Sequence, residues 1–191
     1  VAIIVRRADM ARGLKQRPIM VSGFGWSEEN VDATQLRPRL KTFYHTAHHD
    51  VAAQVYPMAG VTPKDVDVFA TYDSFSVHLL ASLEGFGFCK EGEAAKFIDD
   101  GDNSYGGRIV TNPSGGLLSK GHPLGATGLA QCYELTQQLR GNAEARQVAG
   151  ARIAHAVADV LCTGLDVGPG AQRTLVAALL AVQLCREDGI G

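Results

Sequence analysis

Between residues 115 and 128, five glycines, a proline and a histidine fall within fourteen positions, and the stretch runs directly into a helical pattern. Glycines of this density let a backbone approach a ligand closely and take positive φ. The helix start that follows offers unpaired N–H groups and the positive end of a dipole. A histidine held there, His122, can donate a hydrogen bond to a developing oxyanion. A lone histidine among glycines is ordinarily a structural residue of a tight loop. The length of this string argues for more than that.

Around this loop, strand and helix patterns alternate. Residues 1–5 read as a buried strand and residues 8–15 as a short helix. The first residue is Val1 rather than methionine, so the chain is expected to begin inside a fold. Ile19, Met20 and Val21 centre a strand over 18–25, and the polar run 27–38 reads as a loop. Leu40, Phe43, Tyr44, Ala47, Val51 and Val55 keep helical spacing, predicting a helix over 40–56 ended by Pro57 and Gly60. Thr62 before Pro63 is a capping signal, and residues 66–70 read as a buried strand. Phe75, Leu79, Leu83 and Phe86 make a helical stripe. Residues 89–98 are helical in part, and 108–110 form a short strand inside a turn-rich loop. Leu129, Cys132, Thr136 and Leu139 mark a helix stopped by Gly141. Residues 148–157 and 174–184 supply the last two strands. The alternation predicts an α/β fold.

Composition narrows the function classes. The chain has 191 residues, is 46% hydrophobic and 20% charged, and therefore can bury one real core or two small ones. With 18 Lys+Arg against 20 Asp+Glu, the net charge of −2 gives no basic footprint for nucleic acid. No apolar run reaches the roughly 18 residues that span a bilayer. Apolar residues precede Arg6 and Arg7, the reverse of a secretory signal. Cys89, Cys132, Cys162 and Cys185 lie far apart without a C-x-x-C pair, so the expectation is a reduced, cytoplasmic protein. His45, His48 and His49 fall at i, i+3 and i+4 on the helix predicted over 40–56. With no third ligand nearby they read as its wet side, and no metal is expected.

This loop and three further stretches carry a resemblance. Gly121-His122-Pro123 is followed by Gly125-Ala126-Thr127-Gly128. Tyr72-Asp73-Ser74-Phe75 stands at a strand-to-helix junction about fifty residues upstream. Asn112-Pro113-Ser114-Gly115-Gly116 and the glycine-rich segment 84–93 complete the set. Together these resemble the thiolase superfamily, in its lipid-transfer or sterol-carrier branch, over about residues 1–155. The similarity covers the C-terminal half of a full thiolase. It implies an α/β, thiolase-like half with a mixed five-stranded sheet covered by helices. Residues 1–191 would form one such domain, lacking the N-terminal half.

The resemblance also implies a chemistry. Thiolases make or break a carbon–carbon bond beside a CoA thioester, with coenzyme A as substrate and no separate cofactor. His122 matches the Gly-His-Pro histidine that stabilises thioester oxygens. Tyr72 stands where the second motif carries His or Asn. Cys162-Thr163-Gly164 matches the text of the late Cys-x-Gly, whose cysteine shuttles a proton, though the residues after it depart from the family. His155 lies a few residues before the position where the lipid-transfer branch often has histidine. Asp73, Gly116, Gly121 and Gly125 are the expected substrate-binding positions. The nucleophilic cysteine belongs to the N-terminal half, and neither Cys89 nor Cys132 sits at an activating turn. Three readings follow from the resemblance: a thiolase-type acyltransferase acting on acyl-CoA, a retro-aldol lyase of steroid side-chain CoA thioesters, or a non-catalytic acyl-CoA or lipid-binding half-domain. A tyrosine at position 72 favours the lyase, which pairs with a small OB-fold protein; His122 favours the thiolase. The expected partners are acyl-CoA or CoA and either a second copy of the chain or a complementing thiolase half. This chain alone is expected to be inactive.

Overall fold

The computed structural model describes residues 2–11, 14–28, 46–123, 125–162 and 176–186. Its elements in chain order are β1 (Ile19–Glu28), α1 (Ala47–Ala59), β2 (Val68–Ala70), α2 (Ser76–Gly85), α3 (Ala94–Asp99), β3 (Val110–Thr111), α4 (Gly116–Lys120), α5 (Thr127–Arg140), β4 (Ile153–Cys162) and β5 (Val176–Arg186). Five strands form one mixed sheet in the order β1-β5-β4-β2-β3. Parallel pairs join β3 to β2 and β2 to β4, while β5 runs antiparallel to both β4 and β1. The mixed five-stranded α/β sheet expected from the sequence is therefore present.

Period-two alternation sorts side chains onto the two faces. On β2, Phe69 enters one core with Val51, Val55, Leu83, Phe86 and Val157 beneath α1 and α2. Its neighbours Val68 and Ala70 enter the other with Leu135, Leu139, Ala154 and Ala156 beneath α5. Gly23 and Gly25 lie buried against α1, where a Cβ at Gly23 would stand 2.8 Å from the Val55 carbonyl oxygen. Bare backbone on this face of β1 lets α1 seat closely. Phe24 and Trp26, the alternate residues, remain exposed.

Helix ends follow their punctuation. Asn142 N–H donates to the Gln137 carbonyl at 2.9 Å beyond α5, across Gly141 at φ +76. The 3₁₀ turn Pro63–Asp65 is capped by Thr62, whose N–H and hydroxyl both donate to Asp65 Oδ2, at 2.7 and 2.6 Å. Helix α1 runs past Pro57 and closes on Gly60.

Several expectations are corrected. Residues 2–5 form no strand, and Ile4 and Val5 are exposed. Among the described residues they pair with none of the five strands, and an apolar run by itself states only that burial would be favourable. The helix expected over 8–15 is only the 3₁₀ turn Ala8–Met10 among the described residues. Ser27 and Glu28 continue β1 rather than open a loop. The strands expected at 148–157 and 174–184 are shifted to Ile153–Cys162 and Val176–Arg186. A short helix, α4, forms inside the stretch read as a glycine loop. Residues 29–45, including His45 and the first turns of the helix predicted over 40–56, lie outside the described residues.

Candidate active site

The carboxyl ends of the parallel strands are where α/β sheets gather chemistry, because helices begin there with N–H groups free. Strand β2 ends at Ala70 and delivers Thr71, Tyr72 and Asp73. Asn112, just after β3, fixes that end. Its N–H donates to the Phe69 carbonyl at 2.7 Å, and its side-chain oxygen accepts the Thr71 N–H at 2.9 Å. Asn112 takes φ +48, a conformation asparagine tolerates better than most residues.

From Asn112 the chain turns through two glycines at positive φ into α4. Asp73, buried, accepts the Leu117 N–H at 2.7 Å on Oδ1. Gly116 lies against the same carboxylate, and a Cβ there would stand 2.6 Å from Asp73 Cγ. Asp73 and Gly116 are thus brought together, and they tie the strand end to the glycine loop. Gly121 (φ +91) and Gly125 (φ +76) flank His122, with open space where a Cβ would go. Their contribution is conformational.

His122 is exposed, and its two nitrogens are both engaged. Tyr72 Oη lies 2.9 Å from Nε2, and Thr127 Oγ1 lies 2.7 Å from Nδ1. Thr127, buried at the first turn of α5, also reaches the Pro123 carbonyl at 3.3 Å. This line can be polarised in either direction. When Thr127 donates to Pro123, its oxygen accepts Nδ1–H, and Nε2 accepts the Tyr72 hydroxyl proton. When Thr127 donates to Nδ1, Nε2–H donates to the phenol oxygen and the Tyr72 O–H is directed away from His122. One arrangement prepares Tyr72 to receive a proton, the other to give one.

A second, buried chain supports the same strand end. Thr71 Oγ1–H donates to Ser82 Oγ at 2.7 Å, Ser82 Oγ lies 3.1 Å from His48 Nε2, and His48 Nδ1 lies 3.0 Å from Thr46 Oγ1. Burial first, then the nearby His78 and His49, hold the His48 imidazole down at about 4. Its folded pKa lies below the unfolded value, so the unfolded chain takes up more protons between about pH 6.5 and 4. Stability should therefore fall as pH drops through that window, by about 3 kcal/mol across all of it. Urea midpoints at pH 7 and pH 4.5 measure this, and His48→Gln should flatten the difference. Equal acid losses in the two proteins would reject His48 as the source.

Other residues singled out in the sequence fall elsewhere. His155 is fully buried on β4, its ring 4.7 Å from Phe86 and 5.8 Å from Phe69. Cys162 ends β4, its backbone paired with Val176. Its side chain, and the Thr163-Gly164 that completes the motif, lie outside the described residues. Burial, followed by Glu84 and Glu93, pushes the Cys89 thiol up to about 11. Burial also raises Cys132 and Cys185. None of these three thiols is prepared as a thiolate nucleophile. His48 and His49 turn toward Thr46, and no group of three or more His, Cys, Asp or Glu is placed to hold a metal among the described residues. No described helix is long and apolar enough to cross a membrane. Thr127 was legible only as part of the Gly-Ala-Thr-Gly string. Its offset of five from His122, at a helix start, is the signal that marks it.

A sequence model of the family described as thiolase C-terminal domain-like matches residues 29–163. The chain belongs to this family. Among thiolase relatives, acetyl-CoA acetyltransferase of Methanothermobacter thermautotrophicus is 40% identical over 152 residues, 80% of this chain and 39% of that one. Human sterol carrier protein 2 is 56% identical over 105 residues, 55% of this chain and 19% of that protein. The chain thus spans about one fifth to two fifths of the curated relatives it matches. A solved structure described as an Ltp2-ChsH2(DUF35) aldolase superposes with a TM-score of 0.73 at 24% identity. The superposition covers 94% of this chain and 42% of the aldolase chain, and it shows a shared fold.

Proposed function

We propose that this thiolase-like chain contributes the C-terminal part of a site that makes or breaks a carbon–carbon bond next to an acyl-CoA thioester. The first choice of reaction is thiolase-type acyl transfer. The observation that carries the reading is the Thr127–His122–Tyr72 line, which stands at the carboxyl ends of the strands and ends in a hydroxyl able to give or take a proton. Relatives described as an acetyl-CoA acetyltransferase and a sterol carrier protein support the thioester class. In this reading His122 and Tyr72 stabilise the thioester oxygen as negative charge develops on it. Gly121 and Gly125 admit the ligand to the backbone. Asp73 and Gly116 hold the loop in place. Coenzyme A enters as a substrate, Cys162 remains the candidate for the late proton shuttle, and the acyl-accepting nucleophile comes from outside the described residues.

Exposed Phe24 and Trp26 on β1, and Leu129 and Tyr133 on α5, support a complementing thiolase half or a second copy of the chain as partner. A retro-aldol lyase of β-hydroxyacyl-CoA, with an OB-fold partner, is the second reading. The Tyr72 hydroxyl on His122 Nε2 favours it, since that contact prepares a phenol oxygen to accept the substrate hydroxyl proton.

Tyr72→Phe separates the two in the completed enzyme. It deletes one oxygen and keeps the ring, so folding should change little. For a thiolase, CoA-dependent cleavage of acetoacetyl-CoA should survive within about tenfold, because His122 still donates. Release of ketone or aldehyde without free CoA, lost in Tyr72→Phe, would replace the thiolase reading by the lyase. No turnover of either substrate class, with retained acyl-CoA binding, would leave the non-catalytic half-domain.

A further inference from the structure

Strand β1 borders the described sheet over 10 residues, longer than most strands. A border of that length offers ladder groups to other strands, and proteins ordinarily blunt it with lysine, proline or a bulge. Residues 19–28 contain no Lys, Arg or Pro. The register shifts only between Val21 and Gly23, so the half from Gly23 onward pairs regularly with β5.

That regular half is closed from α1. Trp26 N–H donates to Gln54 Oε1 at 3.4 Å, and Gln54 Nε2 donates back to the Trp26 carbonyl at 3.1 Å. In an antiparallel ladder, alternate residues turn both backbone groups away from the neighbouring strand, and Trp26 is one of these. The Gln54 carboxamide thus meets Trp26 as a peptide group of a sixth strand would. Gln54 Nε2 also donates to the Asp50 carbonyl, one turn back, at 3.0 Å, which holds the amide on its helix. Two residues before Trp26, the Phe24 N–H donates to Met58 Sδ at 3.4 Å. Four residues of helix rise about 6 Å and two of strand about 7 Å, so successive turns of α1 meet alternate residues of β1. Gly25 permits the approach, since a Cβ there would stand 3.1 Å from both Gln54 Cβ and the Val51 carbonyl oxygen.

We propose that Gln54 and Met58 are an edge guard, which keeps β1 from pairing antiparallel with β1 of a second copy of this chain. A second copy is the occupant this edge fits. A two-fold axis at Gly25 would set Phe24 of each copy opposite Trp26 of the other, and their outward N–H and C=O groups would exchange hydrogen bonds. The same pairing would bring the exposed Phe24 and Trp26 side chains together across the strands. With the guard in place, Phe24 and Trp26 are offered to a partner through their side chains alone. None of this depends on the acyl-CoA reading.

Native-state hydrogen exchange and sedimentation of the purified chain test the guard. In dilute Gln54→Ala the Trp26 amide should exchange about tenfold faster than in the wild type. The double variant Gln54→Ala/Met58→Ala should self-associate about tenfold more strongly or better. Raising its concentration should slow exchange at Phe24 and Trp26, because ladder pairing covers these N–H groups and contact between side-chain faces does not. Gln54 is exposed and alanine is a good helix former, so α1 should stay folded. Gln54→Lys removes the amide but sets a charge beside the edge, and should speed Trp26 exchange without added self-association. Unchanged Trp26 exchange in Gln54→Ala would overturn the proposal. So would unchanged self-association of the double variant, or association that leaves the Phe24 and Trp26 amides unprotected. Each of these results would leave the proposed function standing.

Discussion

His122→Ala should lower turnover of the completed enzyme by 10² to 10³-fold, about 3–4 kcal/mol in the activation barrier, while leaving thermal stability almost unchanged. Both halves of the prediction come from where the side chain sits. His122 is exposed between two glycines that adopt left-handed backbone, so its removal opens no cavity. Its nitrogens nevertheless bridge Tyr72 and Thr127, so alanine cuts the line in the middle and isolates the phenol. The kcat and KM of His122→Ala, measured with a differential-scanning melt of the same sample, check it. An unchanged kcat with only a weaker KM would reject the role. His122→Gln, which keeps one donor, should recover part of the loss.

Gly116→Ala should be the most damaging single-methyl change in the loop, destabilising the fold by about 3 kcal/mol. Two costs combine. Gly116 takes φ +61, which costs a residue with a Cβ about 1–2 kcal/mol. The new methyl would also overlap the Asp73 carboxylate and push it off the Leu117 N–H, leaving a buried donor unpaired at about 1–3 kcal/mol. Urea unfolding of Gly116→Ala, Asp73→Ala and the double variant separates these costs. With the carboxylate gone, the methyl should cost only its backbone term, so the double variant should be more stable than the summed singles predict. Strict additivity would show that the overlap is not the cause. Gly121 and Gly125 have open space at Cβ, and alanine there should cost the backbone term alone.

Local signals and tertiary contacts account for what could be read in the chain. Gly141 and Thr62 announced their caps because capping is settled within a few residues. The stripe located α2 because Leu79, Leu83 and Phe86 meet the core, whereas Phe75, the residue before the helix, stays exposed. Residues 1–5 were misread because an apolar run states only that burial is favourable. It does not state which surface will cover the run, and residues 2–5 stay exposed. His122 and Tyr72 could be found from motif text, and the structure brings them within hydrogen-bond distance. Asp73 could be named, but its tie to Leu117 could not, since that contact joins residues 44 apart in the chain. His48 and His78 were invisible as a pair for the same reason. They lie on different helices, and only the packing of α1 against α2 brings one into the other's field. His48 looked like the wet side of a helix and is instead half-buried, bonded to Ser82.

The pairing of β1 with β5 sets a timetable for synthesis. Ile19 bonds opposite Arg186, so the strand that forms one border of the sheet is translated well before its partner. At roughly 5–20 residues per second, a ribosome leaves β1 without its mate for on the order of ten to thirty seconds. During that interval α1 can already cover Gly23 and Gly25, but the ladder hydrogen bonds that β1 will make with β5 stay open to other nascent chains. A chaperone that shields open strand edges, or slow dilution during refolding, should therefore raise the yield of this chain more than any change within its glycine loop.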